Sequence, residues 1–255
     1  MSAHMVLQAR GVNAFWGKKQ VVFNANAQFE QGRWTCVVGP NGAGKSSLLK
    51  VMAGLMPSQG EVILHQTPLL QWSPRERAKR LSWLGQQAIG GDDLTVHDVV
   101  MLGRLPHHDG WTGPTAQDHR VVDELLERFA LSDWRARGLG TLSSGERQRV
   151  LLARALAVQA PVVMMDEPIA NVDVPHQADW LDTVQQLTRS GTTVVSVLHD
   201  LNFALRADQV LVMQAGRVVM QASPQDTSLH DCLQDVFEQR LSFHQVQGHW
   251  VALTV

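Results

Sequence analysis

The segment Gly39-Pro40-Asn41-Gly42-Ala43-Gly44-Lys45-Ser46 constrains this chain more than any other. It fits the pattern G-x-x-x-x-G-K-[ST]. The apolar run from Arg33 to Val38 leads into it, and Leu48, Leu49, Val51 and Met52 follow at helical spacing. Strand, glycine loop, helix is the order that a phosphate-binding loop requires. Glycines let successive backbone N–H groups turn inward on an anion. The helix then directs its positive dipole end at the same point. In such a loop Lys45 reaches the β- and γ-phosphates of a nucleotide, and the Ser46 hydroxyl ligates Mg²⁺. The alternative, a plain glycine-rich turn, is disfavoured by the strand and helix that flank the loop. Gly39 through Ser47 are therefore the expected nucleotide-binding residues.

The rest of the chain is read around this loop. Val6 to Arg10 and Val21 to Phe29 carry strand-like residues, and 61–72 reads as a short β-segment and turn. Ser73 is positioned to cap a helix, with Pro74 first and Glu76 three residues on. Leu81 to Leu84 reads as a strand. From about 92 to 158 the pattern turns helical, over Val96–Leu102, Asp118–Phe129 and Glu146–Val158. Strands resume at 162–166, 192–200 and 209–214, and the stretch from 224 to 255 reads as a short helix and two short strands. The sum is an α/β chain: a mainly parallel sheet, an N-terminal antiparallel β region and an inserted helical block at about 90–159.

Val162-Val163-Met164-Met165-Asp166-Glu167-Pro168 is a buried strand that ends in two carboxylates. Beside a phosphate loop, the first suits Mg²⁺, directly or through water. The second, Glu167, suits a base that orients a water and takes its proton. Without the loop, such a strand end is a weak signal.

Composition excludes several classes. The formal net charge is -2, without the basic excess of a nucleic-acid binder. No apolar stretch approaches the roughly 20 residues that span a bilayer. The N-terminus lacks the apolar core of a signal peptide. A cytosolic chain, or one peripheral on the cytosolic face of a membrane, is expected. Cys36 lies in an apolar run and reads as core packing. His107 and His108 read as solvated loop residues, without further ligands at metal-binding spacing.

Leu142-Ser143-Ser144-Gly145-Glu146-Arg147-Gln148-Arg149 resembles the signature motif of ABC ATPases, L-S-G-G-Q or L-S-G-G-E. By itself the segment reads equally as a helix cap, with Ser143 or Ser144 capping and Glu146 or Arg147 in the first turn. Between the phosphate loop and the Asp166 strand it reads as a second phosphate site. Other positions then fall in the family's order. Trp16 matches the aromatic that stacks on adenine, the other reading being a strand-edge core tryptophan. Gln86, with Gln87 as the second candidate, matches the glutamine that touches Mg²⁺ and the attacking water. Asp173, in Ala170-Asn171-Val172-Asp173, matches the aspartate of the dimer-contact loop. His199 matches the histidine on the γ-phosphate.

The resemblance covers roughly residues 5–225. It implies a P-loop NTPase (RecA-like) fold in one ABC ATPase domain, 1–255. The nucleotide-binding core would be 1–89 and 160–223, the helical signature subdomain 90–159 and the tail 224–255. ATP and Mg²⁺ are the implied cofactors. Glu167, His199 and Gln86 are the implied catalytic residues, with Ser46, Gln86 and Asp166 on the metal. Ser143, Ser144, Gly145, Glu146 and Asp173 are implied to serve the nucleotide of a second copy in a head-to-tail homodimer. Two departures stand out. Ser144 replaces the signature's first glycine, where its side chain either crowds the γ-phosphate or donates to it. The dimer-contact loop carries Asn171 and Val172 where Ser or Gly, Ala and Leu are common.

Two membrane permease subunits are the implied partners, with a periplasmic substrate-binding protein acting indirectly and no nucleic acid. The segment after Gln86, with Leu105, Pro106 and Trp111, is the expected groove for a permease helix; a plain surface loop is the other reading. Leu198 to Asp208 and Val99 to His108 look most like the ATPases of bacterial importers for vitamin B12, ferric siderophores or haem. The implied location is the cytoplasmic face of the inner membrane. An exporter ATPase, a zinc or manganese importer and a soluble nucleotide-binding regulatory protein are the alternatives.

Overall fold

The computed structural model describes residues 4–85, 93–108, 113–170 and 172–255. The chain opens with two long antiparallel strands, β1 (Met5–Trp16) and β2 (Lys19–Glu30). Buried positions in β1 change phase, from Leu7 and Ala9 to Val12 and Ala14. A bulge at Gly11, with φ 57°, makes that change by inserting one extra residue. Next come β3 (Trp34–Val38), α1 (Lys45–Met52), β4 (Ser58–Leu64) and the two-residue β5 (Thr67–Pro68). Strands β2-β1-β4-β5 form one antiparallel sheet.

Ser73 caps α2 (Pro74–Arg80), accepting from the Glu76 backbone N–H as the sequence suggests. Then follow β6 (Leu81–Leu84), α3 (Val96–Met101), α4 (Ala116–Arg128), α5 (Ser144–Ala157) and β7 (Val162–Asp166). The final third carries α6 (Val174–Arg189), β8 (Thr193–Val197), α7 (Leu201–Ala204), β9 (Gln209–Gln214) and β10 (Arg217–Ala222). It ends with α8 (Thr227–Val236), β11 (Leu241–Val246) and β12 (His249–Thr254).

The second sheet has the order β10-β9-β3-β8-β7-β6, parallel throughout except for the β9–β10 hairpin. Its inner strands β3, β7, β8 and β9 are buried at nearly every position because both faces are covered. Side chains on successive residues point to opposite faces. Cys36, Val163, Met165, Val194, Val210 and Val212 enter the core shared with the helices. Val37, Val162, Met164, Val195, Leu211 and Met213 enter the core shared with α1 and the antiparallel sheet. Burial pushes the Cys36 thiol up to about 12, so it packs as an apolar group.

Helices α3, α4 and α5 pack on one another, and a 3₁₀ turn at Leu102–His107 locks the end of α5. The last carbonyls of a helix have no partner inside it. Here Arg104 donates to the Ala157 carbonyl at 2.7 Å and His107 donates to that of Val158 at 2.8 Å. Arg104 also donates to the buried Asp118 at 2.8 Å. Burial opposes the charge on Asp118, but hydrogen bonds from Thr115 and Arg104 outweigh it and hold its carboxyl well below the usual range. His108 lies 3.2 Å from the same carboxylate. The expectation of solvated loop histidines is thus overturned: His107 and His108 are half-buried, because the turn is folded onto a helix end that needs donors.

Candidate functional site

Parallel pairing brings the strand ends of the second sheet level. Val37 of β3 lies opposite Val197 of β8, and Asp166 of β7 lies opposite the same residue. Gly39, Glu167 and His199 therefore leave the sheet along one carboxyl edge. Strand β3 sits between β8 and β9, which come far later in the chain. Such a reversal of strand order opens a crevice at the carboxyl ends, where α/β sheets bind ligands.

The loop after β3 needs its glycines for two reasons. Gly39, Gly42 and Gly44 have φ of 147°, 78° and 95°, a region that side chains avoid. A Cβ on Gly39 would stand 2.0 Å from the Met213 carbonyl oxygen, and one on Gly44 would stand 2.6 Å from that of Val21. The loop lies flat on two backbones. Helix α1 starts at Gly44 with no side-chain cap and no acid in its first turn, so its first N–H groups remain available to an anion.

Lys45 is buried and donates through Nζ to the carbonyls of Gly39 at 2.8 Å and Pro40 at 3.0 Å. Burial lowers its pKa, with Glu167 and Asp166 acting in opposition. Ser46 Oγ donates to Asp166 Oδ1 at 2.9 Å. Burial raises the Asp166 pKa, the Ser46 bond lowers it, and neighbouring Glu167 raises it further. Glu167 itself takes a left-handed backbone, φ 54°, with its N–H on the Val197 carbonyl. A non-glycine residue in this region is strained, and such strain clusters at functional sites. The turn aims the Glu167 carboxylate at His199, whose Nε2 donates to Oε1 at 2.5 Å.

Thus Lys45, Ser46, Asp166, Glu167 and His199 come together. Trp16 ends β1 with 68% of its surface exposed, which rules out the core reading. Lys50 of α1 stands 6.0 Å from its ring centroid. Asp173 precedes α6, exposed and without a capping bond. Gln86, Gln87, Trp111 and Asn171 lie outside the described residues.

The signature segment is built differently. Ser143 Oγ accepts from the Glu146 N–H at 3.3 Å, and the Glu146 carboxylate accepts from the Ser143 N–H at 2.7 Å. This capping box satisfies two donors locally. Ser144 opens α5, and a Cβ on Gly145 would meet nothing within 4 Å. Gln148 of α5 donates to the Pro168 carbonyl at 2.9 Å, joining this helix to the loop beyond Glu167. Sequence reading missed that tie, since glutamine in a helix carries no local signal. It also missed Lys50, whose place beside Trp16 depends on the packing of α1 against β1.

A phosphate loop at the switch point, with a hydroxyl–carboxylate pair and a His–Glu pair on the same edge, defines a nucleotide-hydrolysing P-loop protein. Comparison with known proteins narrows this class. The family model described as ABC transporter matches residues 22–170. The hemin import ATP-binding protein HmuV of Myxococcus xanthus (strain DK1622) is 39% identical over 253 residues, 96% of this chain and 94% of that protein. The ferric enterobactin transport ATP-binding protein FepC of Escherichia coli (strain K12) is 32% identical over 225 residues, covering 87% and 83%. A dimeric ATP-binding cassette solved with ADP and phosphate superposes with a TM-score of 0.78 at 23% identity, covering 86% of this chain and 99% of that one. The chain belongs to the ABC transporter family, as an ATP-binding, ATP-hydrolysing protein. Among the described residues no helix is long and apolar enough to cross a membrane.

Proposed function

We propose that this chain energises a bacterial importer of a metal chelate, such as haem, a ferric siderophore or vitamin B12, through a separate membrane permease. The observation that carries the hydrolytic part is the pair of contacts on one strand edge, Ser46 with Asp166 and His199 with Glu167. The cargo class is supported by the hemin and ferric enterobactin importers among its relatives.

In this reading residues 1–89 and 160–223 are the nucleotide-binding core, 90–159 the helical subdomain and 224–255 the tail. Lys45 exchanges its loop carbonyls for β- and γ-phosphate oxygens, and the free N–H groups of 39–47 turn onto the same phosphates. The exposed Trp16 ring stacks on adenine. Ser46 and Asp166 fit Mg²⁺: a hydroxyl and a carboxylate, 2.9 Å apart, are hard oxygen donors, and Gln86 would add a third. When bound, the ion neutralises charge on the phosphate oxygens. Glu167 takes the proton of the attacking water, with His199 holding the carboxylate in place and facing the γ-phosphate.

Ser143, Ser144, Gly145 and Glu146 start a helix whose ligand comes from outside, a nucleotide held by a second copy. A head-to-tail homodimer supplies it, with Asp173 near the contact. The dimeric cassette similar to this chain supports the pairing of two copies. A groove of about 250 Å³ lined by Leu55, Arg77, Leu102, Pro106 and Val158 suits a helix of one permease subunit, and the same groove of the second copy would take that of the other. The exposed Leu105 lies next to it in sequence. The protein would then work on the cytoplasmic face of the inner membrane, with a periplasmic binding protein acting through the permease.

Glu167→Gln tests the chemistry. Hydrolysis should fall by roughly 10²–10⁴-fold, the range of a lost general base, with ATP still bound. A variant as fast as the wild type would sink the hydrolytic assignment. For the cargo, the complex isolated from its own membranes should raise its ATPase rate with a binding protein loaded with one chelate. A response to zinc or manganese alone would overturn the chelate reading.

A further inference from the structure

His199 stands between two supports of unequal strength. On one side is β8, a buried strand paired on both edges. On the other is α7, a helix of four residues. A helix that short does not hold itself in water and takes its position from what it packs against. Its apolar side is fixed by Leu201 and Ala204, which are buried. Its exposed side is fixed from the far end of the chain. Asn202 Oδ1 accepts from the Ala252 N–H of β12 at 2.8 Å.

The C-terminal hairpin is itself anchored. The His230 ring of α8 stacks on Phe243 of β11 at 4.6 Å and meets Trp250 of β12 edge-on at 4.3 Å. His230 also donates to the Pro224 carbonyl at 2.9 Å, and Gln234 donates to that of Leu241 at 3.0 Å. The first turn of α7 is closed from the His199 side, where Asp200 accepts from the Asn202 N–H at 2.7 Å. One residue thus joins two elements: its backbone belongs to the turn that carries His199, its side chain to the hairpin.

We propose that Asn202 is a positioning residue for hydrolysis, through which the C-terminal hairpin sets the His199–Glu167 contact. The proposal rests on the assignment of Glu167 and His199 to hydrolysis. It gives the tail a role at the site although no tail residue is among those assigned to the nucleotide. With Asn202 released, α7 pivots on its buried side and His199 holds the Glu167 carboxylate for a smaller fraction of the time. The turnover rate falls, while the loop and Trp16 bind ATP as before.

The test is steady-state ATP hydrolysis by the full chain. Asn202→Ala should lower kcat about three- to tenfold, the effect of losing one hydrogen bond, and leave KM for ATP within about twofold. Asn202→Asp keeps the acceptor and should restore kcat. Ala252→Pro removes the donor instead. The Ala252 N–H points to Asn202 rather than to β11, so the hairpin keeps its ladder and the loss in kcat should match. In a His199→Ala background, Asn202→Ala should add no further loss, because the two act as a unit. Additive losses, an equal rise in KM, or an unchanged kcat in both Asn202→Ala and Ala252→Pro would overturn the proposal. Glu167→Gln and His199→Ala run alongside tell the two failures apart. If they are slow while Asn202→Ala is not, only the positioning role is lost; if they match wild type, the hydrolytic assignment has failed first.

Discussion

The phosphate loop and the signature segment share one plan, a glycine- and serine-bearing turn that feeds a helix, yet they are finished differently. The loop at Gly39–Ser46 is wedged against two backbone carbonyls and leaves the start of α1 uncapped. The segment at Ser143–Gly145 stands in the open and caps α5 with its own side chains. An uncapped, immobile helix start is an anion site completed within one chain. A capped, open one is at rest until a ligand arrives to compete for its donors. The difference fits the proposal that the loop holds the phosphates of its own nucleotide while the signature segment awaits those of a nucleotide held by a second copy. It also separates substitutions that break folding from those that break only the assembled site.

The largest effect is expected at Gly39. A Cβ there meets a main-chain oxygen of β9 at 2.0 Å, and neither backbone can move without breaking sheet pairing. Gly39→Ala should destabilise the protein by about 3 kcal/mol or more, a large value for one residue. For a chain of this size that lowers Tm by roughly 6–12 °C. ATP affinity should fall with it. A Tm within 2 °C of wild type would mean that the loop is not wedged, and the contrast between the two turns would collapse.

The two regions were not equally legible in sequence. Gly39–Ser46 is a local pattern, as are the strand at 162–166 and the cap at Ser73, and local patterns survive without tertiary information. The β10 strand is hard to read from sequence although Ala215-Gly216, both left-handed, is a hairpin turn between apolar runs. Its half-exposed alternation hides it on a sheet edge. Helix α6 was equally faint, since Pro175 near its start reads as a break until its place in the first turn is known. The His199–Glu167 contact depends on strand order and on a left-handed backbone at Glu167, neither of which is written locally. The Arg104 fork onto Ala157 and Asp118 was hidden for the same reason: its partners lie 53 and 14 residues away.

At the signature segment, stability and activity should part company. Ser143→Ala removes an N-cap, a loss of about 1 kcal/mol, or roughly 2–4 °C in Tm. Gly145→Ala should do the reverse. Gly145 lies in the first turn of α5 with open space at its Cβ position, so alanine gains up to about 1 kcal/mol of helix propensity. If that open space is where a second copy's phosphate approaches, Gly145→Ala should nevertheless lower ATP hydrolysis about tenfold, a loss near 1.4 kcal/mol in the barrier. Thermal unfolding without nucleotide, paired with turnover measurements, checks both. A more stable variant with unchanged turnover would leave the open face without a function.

Asp166→Asn gives the smallest effect on folding and compares the loop with the carboxylate that faces it. Burial raises the Asp166 pKa above its unfolded value, so ionising it in the folded chain is unfavourable. The sign follows: folding stability falls as pH rises through the folded pKa, and at neutral pH the ionised group is a net burden. Asparagine keeps an acceptor for Ser46 and carries no charge. Without nucleotide, Asp166→Asn should raise Tm by roughly 1–3 °C at neutral pH, a shift below about 1 kcal/mol for this size of chain. The gain should shrink as pH falls towards the ordinary carboxylate value of about 3.9, where wild type protonates as well. Addition of Mg²⁺ and ATP should reverse the order, because wild type then gains binding free energy that the variant lacks. Such a reversal would mark Asp166 as a group held at a stability cost for the ligand that completes the loop. A variant less stable than wild type under both conditions would make the carboxylate a structural partner of Ser46.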